Sequence, residues 1–84
     1  MSRERKLEEL RRNPVGRKRE EVLSLLQAFG FKVKCSTHWK AKIDPGDGGS
    51  MITVGFPNQQ KVAEVYVEEV VAKIDELRDR RREL

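Results

Sequence analysis

The chain holds one histidine, His38, in the stretch Ser36-Thr37-His38-Trp39-Lys40-Ala41-Lys42-Ile43. Strict alternation places His38, Lys40 and Lys42 on one face of a strand and Trp39, Ala41 and Ile43 on the other. Imidazole is the side chain that changes charge near neutral pH, and here it stands in a row of ammonium groups. That set suits binding and cutting an RNA phosphodiester. The 2′-hydroxyl of RNA is an internal nucleophile, so the protein need only move protons and stabilise charge on phosphorus. His38 can do the first and the lysines the second, with no metal or cofactor. One histidine cannot act as base and acid together, so a lysine, Tyr66 or water has to complete the cycle. The alternative from the residues alone is a solvated sheet face with an incidental histidine.

The charge distribution bears on that choice. Of 84 residues 38% are charged, well above the roughly 25% of ordinary soluble domains, and the net charge is +4. Between Arg3 and Arg19 there are eight basic and three acidic side chains, and from Phe31 to Asp44 four lysines (Lys32, Lys34, Lys40, Lys42) meet Asp44 alone. A polyanionic partner fits this better than an acidic one. With one cysteine there is no intramolecular disulfide framework, and one histidine with one cysteine falls short of an ordinary zinc site. No apolar run reaches the ~18 residues of a membrane span. The expectation is a soluble cytoplasmic protein, a monomer or small homo-oligomer.

The elements that must position these residues are readable in order. Ser2 can cap a short helix to about Arg12, with Leu7 and Leu10 as its apolar positions and little to bury. Val22, Leu25, Leu26 and Phe29 recur at helical spacing, and Gly30 suits the helix end. Phe31, Val33 and Cys35 alternate with Lys32 and Lys34, predicting a strand whose Cys35 is buried and inert. The His38 segment makes the second strand, with Trp39 facing the core, after a corner of two or three residues that includes Ser36 and Thr37. Asp44-Pro45-Gly46-Asp47-Gly48-Gly49 reads as a hairpin loop, and Ile52, Val54 and Phe56 share a face of a third strand ended by Pro57. Asn58 can cap a closing helix with Val67, Val70, Val71, Ile74 and Leu77 as its stripe, Val62, Val65 and Tyr66 extending contact near its start. The prediction is one α+β domain: helix, three-stranded antiparallel sheet, helix, preceded by an extra short helix. Residues 1–16 form a basic helix and linker, 17–77 the core, and 78–84 a charged, frayed tail. Both main helices need the same sheet face, which leaves the lysine and histidine face free.

This order, which is that of double-stranded-RNA-binding domains, together with Leu25-Leu26-Gln27-Ala28-Phe29-Gly30-Phe31, Ser36-Thr37-His38-Trp39 and Ile52-Thr53-Val54-Gly55-Phe56-Pro57, resembles the HicA toxin family. Its members have a helix ending at Gly-Phe or Gly-Trp, a Gly-Ser-His signature, a strand like Thr-Val-Pro-x-Pro, and a closing helix, here opening at Lys61-Val62-Ala63. The resemblance implies an endoribonuclease that cuts mRNA, His38 as its catalytic residue, and a HicB-type antitoxin that covers the site. Thr37 keeps the hydroxyl of the signature serine, whereas Ser36 replaces its glycine and Gly55 the usual proline. If that glycine serves a left-handed backbone, Ser36 carries strain there. Lys32, Lys34, Ser36, Thr37, Lys40 and Lys42 are the expected RNA contacts. Arg3, Arg5, Arg11 and Arg12 of the first helix are open to RNA, to the antitoxin or to packing on the domain. Two other classes remain beside the nuclease: a noncatalytic RNA-binding module of the same fold, and a protein-interaction domain.

Overall fold

A computed structural model describes residues 2–82. In chain order it contains α1 (Arg3–Arg12), β1 (Arg17–Lys18), α2 (Arg19–Ala28), β2 (Lys32–Cys35), β3 (His38–Ile43), β4 (Ile52–Pro57), β5 (Lys61–Val62) and α3 (Glu64–Arg82). The α+β layout is the one read from the sequence, with an antiparallel sheet in the order β2-β3-β4. The structure adds a second, two-stranded ribbon, β1 with β5.

Local chemistry explains the boundaries. The Ser2 hydroxyl accepts the Arg5 N–H and starts α1. At the start of α2 the Glu21 carboxylate reaches back to the Lys18 N–H at 2.9 Å, which is half of a capping box. The end of α2 is a Schellman turn: Phe31 N–H donates to Leu26 O, Gly30 N–H to Gln27 O, and Gly30 has φ +96°. Leu26 and Phe31, brought together by that turn, are both buried. The loop between β3 and β4 is fixed by two aspartates, Asp44 accepting the Gly46 N–H and Asp47 the Gly49 N–H.

The core lies between the inner sheet face and the helices. Ala41, Ile43, Ile52, Val54 and Phe56 enter from the sheet; Val22, Leu25 and Leu26 from α2; Val67, Val70, Val71, Ile74 and Leu77 from α3. Val33, Trp39 and Tyr66 pack against this cluster half-buried. Leu7 and Leu10 of α1 are 1% and 0% exposed, which corrects the expectation that this helix has little to bury. Two leucines one turn apart suffice because α2 and α3 offer a slot, and Arg11 closes it with a two-bonded pair to Asp75 at 2.7 and 2.8 Å.

Three further expectations change. Asn58 is not a helix cap: α3 begins at Glu64, and Lys61-Val62, expected to open that helix, pairs with Arg17-Lys18 instead. Val65, expected to extend the core contact, is exposed. The tail is helical through Arg82, with Arg80 holding both Asp47 carboxylate oxygens at 2.7 Å; residues 83 and 84 of that tail lie outside the described residues. Among the described residues no helix is long and apolar enough to cross a membrane.

Candidate nucleic-acid interface

The sheet register brings the expected residues to one surface. Lys32 is opposite Lys42 and Lys34 opposite Lys40 across β2 and β3, while β4 sets Thr53 beside Lys42, Gly55 beside Lys40 and Pro57 beside His38. All four lysines and His38 are exposed. Like charges facing each other across a ladder are destabilising, and no acid of these strands lies between them on this face. None of the four lysines makes an ion pair or a side-chain hydrogen bond among the described residues. A groove of about 530 Å3 is lined by Lys34, Lys40, Lys42, Thr53, Gly55 and the carboxylate-bearing Glu69 of α3. Gly55 keeps that groove open. A Cβ there would meet the Trp39 carbonyl at 3.2 Å, and any larger side chain would stand beside Lys40.

His38 begins β3 at the end of this row, ~7 Å along the strand from Lys40 by strand geometry. The pairing of Cys35 with Trp39 leaves Ser36, Thr37 and His38 as the corner, closed by a 3.2 Å bond from the Ser36 N–H to the His38 carbonyl. Ser36 and Thr37 are exposed beside the imidazole. Among the described residues only glycines have positive φ, so Ser36 holds the corner in ordinary backbone space and the strain considered for it does not arise. The His38 side chain makes no hydrogen bond among the described residues, which leaves both ring nitrogens open to a ligand.

Cys35 is exposed, contrary to its expected burial, and its thiol lies 3.5 Å from the Ser36 carbonyl. It does share the inner face with Val33 and Trp39, but it is the last residue of β2, next to the exposed corner of Ser36 and Thr37. Its cross-strand partner Trp39 is likewise only half-buried.

Comparison of the chain with protein-family models, with curated proteins and with solved structures returned no match.

The contacts that support the His38 end were not read from the sequence, where Asn58 stands as a helix cap and Trp39 as a core-facing residue. Asn58 Oδ1 accepts the Trp39 indole N–H at 2.9 Å and an Arg19 guanidinium N–H at 2.7 Å, and the Arg19 backbone N–H donates to Gln60 O. One amide therefore ties the start of α2 to the ends of β3 and β4. Only an asparagine following Pro57 hinted at it, and that hint also fits a helix cap. Tyr66 is half-buried against the core on the first turn of α3, not on the outer sheet face. Arg3 and Arg11 are engaged with Ala28 O and with Asp75, on the helical side of the molecule. Among the described residues no group of three or more His, Cys, Asp or Glu side chains is placed to hold a metal ion.

Proposed function

We propose that this chain is a HicA-like endoribonuclease that binds single-stranded mRNA on its outer sheet face and cuts it with His38. The observation that carries the reading is that the one imidazole shares an exposed face with four lysines set in opposed pairs. An RNA backbone laid along that face relieves the lysine repulsion, an arrangement that ordinary solvation does not call for. His38 takes the 2′-hydroxyl proton as the oxygen attacks phosphorus. Lys40 and Lys34 stabilise the charge gathering on the phosphoryl oxygens. The bond to the 5′-oxygen breaks, that oxygen takes a proton from water or a lysine, and the products are a 2′,3′-cyclic phosphate and a free 5′-hydroxyl. Proton transfer of this kind contributes on the order of 10² to 10⁴ in rate.

The reading extends to a cytoplasmic setting and to a HicB-type antitoxin that covers His38 and the groove. A second reading, a noncatalytic RNA-binding module, draws on the lack of any hydrogen-bonding partner to orient the imidazole. Expression tests the first reading. Wild type arrests growth and His38→Ala, at equal soluble level, does not; equal growth from both counts against cleavage.

A further inference from the structure

Arg78, Arg81 and Arg82 at the end of α3 and Arg3 at the start of α1 surround one concavity of about 270 Å3, floored by Phe29 and Leu77. Among the described residues no carboxylate lines it. Arg3 is held in place: its guanidinium lies 4.8 Å from the centre of the Phe29 ring and donates to the Ala28 carbonyl at 3.1 Å. Arg78 stands three and four residues before Arg81 and Arg82, a spacing that stacks like charges on one side of a helix at some cost in stability. The acids nearby are outside its lining: Glu4 lies on Arg3 at 3.3 Å, Asp79 on Arg82 at 3.7 Å, and Asp75, held by Arg11, is near enough to Arg78 to feel its charge. Among the described residues Arg78 and Arg81 have no ion-pair partner. The helix dipole favours cations at the end of α3 but disfavours one at the first residue of α1, so it does not explain four guanidinium groups meeting from two helices.

We propose that this arginine pocket is a second site for an RNA backbone, distinct from the sheet face. Guanidinium groups are suited to phosphodiester oxygens because their planar N–H pairs match them two at a time, and four of them converge here on one concavity. The pocket lies far from His38. α3 starts at the end of the sheet where Pro57 faces His38 and runs 19 residues, roughly 28 Å, to the end where Arg80 grips the Asp47 loop. RNA engaged there is a segment outside the cleavage site, so the pocket raises affinity for long transcripts without touching the reacting phosphate. The proposal rests on the reading that the chain binds RNA and is independent of whether it cuts.

The test is fluorescence anisotropy with a labelled 30-nucleotide single-stranded RNA across a salt series. Wild type is compared with Arg78→Gln/Arg81→Gln, with Lys34→Gln/Lys40→Gln on the sheet, and with Arg5→Gln/Arg12→Gln, which removes the same charge from exposed positions outside the pocket. The pocket pair should weaken binding at least tenfold and flatten the salt slope by about 1, near the ~0.7 per phosphate of single strands, while the Arg5/Arg12 pair changes little. Equal effects of the two arginine pairs, or none from the pocket pair, overturn the proposal while leaving the sheet reading intact. Loss of binding in the pocket pair alone keeps the proposal and removes the sheet. Failure of wild type to bind RNA ends both. Displacement of the RNA by poly-glutamate at lower concentration than by unlabelled RNA assigns the pocket to an acidic protein and overturns it too.

Discussion

Cys35 shows where residue parity and residue burial separate. Its side chain points the way Val33 and Trp39 do, yet it is exposed at the last position of its strand, beside the exposed corner. A period-2 pattern reports the face and says nothing about how far the covering layer extends. Ellman's reagent should therefore titrate the Cys35 thiol in the native protein at a rate close to that in denaturant; reaction only after unfolding would contradict the structure. Ser36 gives the complementary case. Because its φ is not in the left-handed region, restoring glycine relieves nothing and only adds freedom to the unfolded chain. Ser36→Gly should lower stability by about 0.4–1 kcal/mol in urea unfolding with no gain in RNA cleavage, and a joint rise in stability and cleavage would return the strain argument. The site residues on the strands were legible because alternation fixes their common face. Gly55 and Asn58 were not, since a missing side chain and a bridging amide leave no period in a sequence.

Among the elements, α2 and the three main strands could be read because each carries its own apolar pattern and its own stop, down to the Gly30 turn. The β1–β5 ribbon has two residues a side, too few for any pattern, and pairs segments that stand more than forty positions apart. α1 misled for a different reason. Two leucines look insufficient for burial until the slot between α2 and α3 exists, and that slot is a tertiary fact. Leu7→Ala or Leu10→Ala should each cost about 2–5 kcal/mol, read as a shift in the chemical unfolding midpoint. An effect below 0.5 kcal/mol would mean that the helix is an appendage. The junction of α1 with α2 is also where acid acts. Glu21 accepts from Lys6 at 2.8 Å, from Arg17 at 3.1 Å and from the Lys18 N–H, and these partners, Lys6 first, hold its carboxyl down at about 2 from an ordinary 4.5. With the folded value below the unfolded one, its stabilisation is complete above pH 4.5 and is lost as the pH falls toward 2. Glu21→Gln should lower stability by roughly 1–3 kcal/mol at pH 7 and converge with wild type near pH 2 in thermal unfolding. Parallel curves would show that these bonds do not form.

For the whole molecule, positive charge gathers on the outer sheet face and in the arginine pocket at the far end of α3, while most acids of the described residues are on the helices and several are engaged in ion pairs there. A net charge of +4 understates what a polyanion meets at either place. Raising salt from about 50 to 200 mM should reduce RNA affinity at least tenfold, and a flat response would remove the electrostatic basis for RNA binding. Binding alone does not make a nuclease. The decisive measurement is single-turnover cleavage of an end-labelled single-stranded RNA by purified protein in chelator, wild type against His38→Ala. The expected result is cleavage by wild type to a 2′,3′-cyclic phosphate end, slower by about 10² to 10⁴ in the variant, with RNA affinity unchanged. Equal rates from the two proteins, or no cleavage by wild type at saturating protein, would contradict His38 as the group that cuts.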